Sequence, residues 1–144
     1  MIGAYTFARV VLIVGGFKVH GFGPDAAIEI EDQEEGELIV GADGEASFSI
    51  SADESRIVNI TIMPTSSSYR TLAELARAQR KTLAGQILPV PFSLTDLNNG
   101  DSMNGLCLFM NLPFPSKGKR VSPVTFKIAL PKPTEKAGLT LIGI

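Results

Sequence analysis

The chain has 144 residues, 44% of them hydrophobic and 19% charged, with a formal net charge of −2. That length suits one domain able to bury a core without cross-links, and the charge balance argues against the dominant basic patch of a nucleic-acid binder. Mean hydropathy is +0.21, an apolar excess that a subunit interface or a generous core would absorb.

Residues Tyr5 to Val14 read as a strand apolar, and so buried, on both faces. The run Val10 to Val14 is too short to span a membrane, and no signal-peptide pattern precedes it. The expectation is synthesis and folding in a cytoplasm. Gly15-Gly16 and Gly21-Phe22-Gly23-Pro24-Asp25 are turn chemistry.

The segment Ile28 to Ser51 alternates apolar and polar residues, turns on Gly41-Ala42-Asp43-Gly44, and alternates again, the pattern of a β-hairpin. Ala27 to Glu31 is a strand, an acidic stretch follows, and Glu37 to Val40 leads into the turn. Ala46, Phe48 and Ile50 then lie on one face of the returning strand, with Ser47, Ser49 and Ser51 on the other. Glu29, Glu31, Asp32, Glu34, Glu35 and Glu37 fall within nine positions. Such a run is ordinarily a solvated loop; its sharper meaning is a surface that repels phosphate.

Arg56 to Met63 is a β-branched strand, with Val58, Ile60 and Ile62 opposite Asn59 and Thr61, ended by Pro64. A helix follows. Ser66, Ser67 and Ser68 offer N-caps, and Thr71 with Glu74 makes a capping box if the helix starts a turn later. Leu72, Leu75, Ala76, Gln79 and Leu83 share its inner face, Arg70, Glu74, Arg77, Arg80 and Lys81 cover the outer one, and Gly85 suits the C′ position. Strands are expected at Pro91 to Leu97, Gly105 to Leu112, Ser122 to Leu130 and Leu139 to Ile142, with a turn at Asn98-Asn99-Gly100-Asp101 and a loop from Pro113 to Arg120. Strands and helix do not alternate in βαβ fashion, so the sheets should be mainly antiparallel. The expected architecture is a small barrel or two-sheet sandwich with one flanking helix.

No constellation for chemistry emerges. Cys107 is alone, which excludes an intrachain disulfide, and sits in the apolar run Leu106 to Met110 as a small buried hydrophobe. The single histidine, His20, is far from it in sequence, and no second His or Cys is available for a zinc site. Asp96 to Asp101 has the wrong ligand spacing for a calcium loop, and Glu29 with Glu31 reads as a wet strand face rather than a carboxylate pair. Catalytic, cofactor and metal residues are all expected to be none.

Together with Ala4-Tyr5-Thr6-Phe7 and Met63-Pro64-Thr65-Ser66, the Ile28 to Ser51 segment resembles the tail tube protein of contractile-tailed bacteriophages. The order of elements agrees. The resemblance implies a β-barrel with a flanking helix, similar to the hemolysin-coregulated protein of type VI secretion. It further implies six subunits per ring and rings stacked into a tube that conducts the genome into the host. The implied partners are other copies of the chain, the tail sheath, the baseplate hub and the tail terminator, with the tape measure protein in the lumen before ejection and DNA passing without specific binding. The implied location is the virion, without membrane insertion.

On that basis Glu29, Glu31, Ser47, Ser49, Ser51, Asn59 and Thr61 are candidates for the lumen or the ring interface, since an acidic or neutral polar lumen gives phosphate nothing to bind. Alternatively they are solvent-facing positions on a monomer. Ring stacking is expected from long loops: Gly15 to Asp25, Asp32 to Glu37 (with Asp32, Glu34, Glu35 and Glu37), and Pro113 to Arg120 (with Lys117, Lys119 and Arg120), the last two pairing by charge. The alternatives are the tube of a phage-derived bacteriocin or secretion machine and, in a different class, a monomeric β-barrel for a small ligand.

Overall fold

The computed structural model describes residues 5–23, 27–31, 36–50, 53–81 and 89–136. Its strands are β1 (Val10–Val14), β2 (Phe17–Lys18), β3 (Ile28–Glu31), β4 (Gly36–Val40), β5 (Ala46–Ile50), β6 (Arg56–Ile62), β7 (Val90–Asp96), β8 (Ser102–Phe109), β9 (Val124–Leu130) and β10 (Thr134–Lys136), with one helix, α1 (Ser67–Arg80). Every pairing is antiparallel. The main sheet runs β2-β1-β7-β8-β9-β6-β3, with β10 also on β8, and β4 and β5 form a separate two-stranded ribbon.

The alternation in β6 and β9 sets the core. Val58, Ile60 and Ile62 pair across from Ile128, Phe126 and Val124, and all six are buried. They meet Leu12 and Val14 of β1, Val90 and Phe92 of β7, and Leu72 and Ala73 of α1 in one apolar cluster. Inward residues from both halves of the sheet share that cluster, so the sheet folds back on itself as a sandwich. Phe126 sits at its centre, 5.9 Å from the Tyr69 ring and 6.2 Å from Phe109.

The halves are joined by β8. Ser102 to Cys107 pair with β7, and only Leu108 and Phe109 pair with β9. Beyond these contacts two amide side chains continue the ladders. Gln79 of α1 donates through Nε2 to the Cys107 carbonyl at 2.9 Å and accepts the Phe109 N–H at 2.8 Å, where β7 has ended. Asn111 accepts the Lys127 N–H at 2.8 Å and donates to the Thr125 carbonyl at 3.1 Å, where β8 has ended. Each amide imitates one rung of a sheet, as buried backbone groups require.

Several sequence expectations are corrected. The first strand begins at Val10, because the Thr6 hydroxyl accepts the Ala8 N–H at 3.3 Å and starts a 3₁₀ turn, Phe7–Arg9. It is buried on one face only: Leu12 and Val14 point in and Ile13 points out. The hairpin is confined to β4 and β5; β3 instead pairs with β6. Ser66 caps the helix through the Ser68 N–H, so the helix does not start later at a Thr71–Glu74 box. Thr71 instead bonds back to the Ser67 carbonyl. The strand expected over Gly105 to Leu112 runs from Ser102 to Phe109. Neither β2 nor β10 was among the expected strands. The latter is secured by Glu135, whose carboxylate lies 3.1 Å from Arg56 Nε. The positions of Leu83, Gly85 and the expected Leu139 to Ile142 strand lie outside the described residues.

Replacing Gln79 with Leu keeps the volume but leaves the Cys107 carbonyl and Phe109 N–H unpaired. Urea unfolding should show a loss of about 2–4 kcal/mol. An unchanged midpoint would mean that water or another side chain replaces the amide.

Candidate assembly surfaces

Three surfaces follow from this fold. The first is the outer face of β3, β6 and β9. Register places Glu29 beside Asn59 and Asn59 beside Lys127, Glu31 beside Ile57, and Thr61 beside Thr125. Asn59 Nδ2 donates to Glu31 at 3.0 Å, and the Thr61 and Thr125 hydroxyls are 3.0 Å apart. Four of the residues singled out in the sequence, Glu29, Glu31, Asn59 and Thr61, therefore share one polar face. Lys127 and Thr125 belong to it too, and the alternation of Val124 to Leu130 carried the signal. Lys127 makes the face mixed in charge rather than purely acidic.

The second surface is the β4–β5 ribbon. Its register pairs Leu38 with Phe48, Val40 with Ala46 and Gly36 with Ile50, while Glu37 meets Ser49 and Ile39 meets Ser47. Ser47 and Ser49 thus lie on the ribbon and not on the β3–β6–β9 face; Ser51 is outside the described residues. The ribbon's other face is apolar and open: Leu38 is 63% exposed, Phe48 62% and Ile50 79%. At the tip the Asp43 carboxylate accepts the Glu45 N–H at 3.1 Å, and Gly44 takes φ +89°, where a side chain would be strained. At the base, a Cβ on Gly36 would stand 2.7 Å from the Ser49 carbonyl oxygen and collide with the Phe48 ring. Glycine there lets Phe48 lie flat across the strand. Sequence alternation located this ribbon but not its separation from the core.

The third surface is basic. Arg70 and Arg77 project from α1, and the loop after Leu112 carries Lys117, Lys119 and Arg120, all exposed. The loop is anchored by the Tyr69 hydroxyl, which donates to the Pro113 carbonyl at 3.2 Å, and Lys117 lies 5.3 Å from the centre of the exposed Phe114 ring. Of the acidic loop residues, Glu37 is exposed on the ribbon, whereas Asp32, Glu34 and Glu35 lie outside the described residues.

His20 stands over the N-terminus of α1. Its N–H donates to Ser68 Oγ and its carbonyl accepts from Ser66 Oγ, both at 2.9 Å, with ring nitrogens 3.5 Å from Ser66 Oγ and 3.4 Å from Ser67 Oγ. Cys107 is fully buried in the core, where desolvation pushes its thiol up to about 12. Among the described residues no group of three or more His, Cys, Asp or Glu side chains comes together.

No family model matches the chain, and no curated protein matches its sequence. Solved structures do match its fold. The sheath–tube complex of an extracellular contractile injection system, PVC, in its extended state contains a chain that aligns with TM-score 0.60 and 12% identity, over 93% of this chain and 92% of that one. The cap that terminates the anti-feeding prophage tube aligns with TM-score 0.57 and 11% identity, over 96% and 94%. The PVC sheath/tube terminator aligns with TM-score 0.58 and 12% identity, over 93% and 97%. The mainly β fold is thus shared along nearly the whole chain.

The Cys107 thiol should stay unreactive toward a disulfide reagent in the folded protein and react only on unfolding. Its folded value lies above the ordinary 9.0, so the folded state holds the proton longer than the unfolded chain. The resulting stability is complete below pH 9 and drains away as pH rises toward 12. Denaturation of Cys107→Ala across that window should lack this component of the slope; identical slopes would show that the thiol is not held neutral.

Proposed function

We propose that this chain is the subunit of the tube in a contractile injection apparatus, in which copies close into rings and rings stack inside a sheath. The observation that carries the reading is the β4–β5 ribbon. A two-stranded ribbon is marginal in water, and this one leaves Leu38, Val40, Phe48 and Ile50 largely exposed. A neighbouring copy that covers it supplies the missing layer. The shared fold with tube and tube-end proteins of injection systems supports the same role.

In this reading six copies form a ring, as the resemblance to phage tail tubes suggests. The β3–β6–β9 face, with Glu29, Glu31, Asn59 and Thr61, lines the lumen. Hydroxyl, amide and carboxylate groups there offer a passing phosphate chain little to hold, and Lys127 stands in the same row as Glu29, where opposite charge offsets it. The ring's partners are a sheath outside, a hub and a terminator at the ends, and a tape measure within. A phage tail that delivers DNA is the reading drawn from the sequence. A non-phage injection device with another cargo is the second reading, favoured by the injection-system proteins that share the fold. Among the described residues, the cavities of about 480 and 430 Å³ lie against α1 and the loop after Leu112, so they lend a monomeric ligand barrel no support.

Negative-stain microscopy over a concentration series should show rings or hollow tubes. The double variant Leu38→Ser, Phe48→Ser should unfold within about 0.5 kcal/mol of the parent, since those side chains pack nothing in the core, yet fail to assemble. Normal tubes from that variant would sink the ribbon's role.

A further inference from the structure

Helix α1 and the loop after Leu112 enclose a groove. Two cavities of about 480 and 430 Å³ open there and share Pro64, Thr65 and Tyr69 on their walls. Arg70 and Arg77 line it from the helix, Lys117 and Arg120 from the loop, and no carboxylate is among its described lining residues. None of these four cations forms an ion pair among the described residues, where the pairs are Arg56–Glu135 and Lys132–Glu54. The floor is rigid. Tyr69 is held by its bond to the Pro113 carbonyl and by its ring contact with Phe126, and Ala73 beside it is buried. The cations therefore surround a shape fixed by the core.

Like charges gathered together repel one another, and on the outer face of α1 only Glu74 stands against Arg70 and Arg77. The chain carries the complement elsewhere. Its net charge is only −2, yet Asp32, Glu34, Glu35 and Glu37 place four carboxylates within six positions. The two extremes are segregated along the sequence, with Glu37 exposed at the root of the ribbon.

We propose that this groove receives the acidic segment Asp32–Glu37 of a second copy of the chain. The partner is named on the strength of the tube reading, and the site extends the stacking loop Lys117–Arg120 to include Arg70, Arg77 and the Tyr69 floor. Donor segment and acceptor groove are different parts of the molecule, so the contact is heterologous and repeats from copy to copy.

The test separates this contact from the tube itself. A labelled peptide of residues 28–41 is titrated into the full chain and followed by fluorescence anisotropy. It should bind, bind more weakly as salt shortens the screening length, and lose about tenfold in affinity in either R70E/R77E or K117E/R120E. Two reversed chains, D32K/E34K/E35K/E37K and R70E/R77E/K117E/R120E, should each fail to assemble alone and should assemble when mixed in equal amounts. Peptide binding unaffected by both groove variants would overturn the proposal. So would tighter binding of duplex DNA than of the peptide, or peptide binding only after the chain's own four carboxylates are neutralised, which would mean the segment fills its own groove. Peptide binding lost in both groove variants, in a parent that never forms rings, would uphold the groove and sink the tube.

Discussion

The structure depends on how β8 settles its backbone hydrogen bonds while passing from one half of the sandwich to the other. A strand shared by two half-sheets loses one neighbour before it has fully gained the next, and buried N–H and C=O groups cannot be left without partners. Only two residue pairs join β8 to β9. Gln79 fills the gap on the β7 side and Asn111 extends the ladder on the β9 side. The first ties the only described helix to the strand on which the sandwich turns. The position of α1, and hence of its basic outer face, follows from that bond as much as from Leu72 and Ala76. Asn98 repeats the device at the chain's start, bonding both the N–H and the carbonyl of Thr6.

Much of the fold was legible in the sequence because alternation reports burial directly. Val58, Ile60 and Ile62, and Val124, Phe126, Ile128 and Leu130, point inward as the pattern required. Gln79 was placed on the inner face of the helix by spacing alone. What spacing does not carry is the reason a polar residue belongs there, because the partner lies about thirty positions away on another strand. The same limit explains the missed pairing of β3. Ile28 to Glu31 alternates equally well as part of a hairpin or against β6, and the choice rests on long-range contacts. The short β2 and β10 owe their strand geometry to a neighbour's edge, and Phe17-Lys18 and Thr134-Glu135-Lys136 advertise nothing on their own. The polar face suffered a related loss. Four of its members were found on β3 and β6, but Ser47 and Ser49 share their alternation and not their sheet.

This separation gives the surfaces distinct physical roles. The β3–β6–β9 face meets part of its own demand: Asn59 meets Glu31, and Thr61 meets Thr125. To the extent that a surface meets its own hydrogen-bonding demands, it is a poor glue and a good wall. The ribbon is the reverse. Its backbone is paired through five register positions, whereas its apolar side chains have nothing to touch. The groove beside α1 is a third type, fixed in shape and unbalanced in charge. In the tube reading, wall, glue and charge contact fall on different parts of one small chain.

The magnitudes then say how such a subunit would assemble. Covering the apolar face of one ribbon is worth about 5–10 kcal/mol by area. Bringing two copies together costs about 4–15 kcal/mol in lost freedom and ordering. A single contact is therefore close to break-even, and a dimer gains little. A subunit that enters a closed ring makes a ribbon contact on each side while losing its freedom once, so closure brings a gain that no open intermediate has. Charge contacts between rings add to this, and they weaken with salt where the ribbon contact does not. In the tube reading, a chain built this way would remain dispersed until a ring forms and would then add steadily. That behaviour follows from an apolar ribbon of modest size set on a body whose own core is already complete.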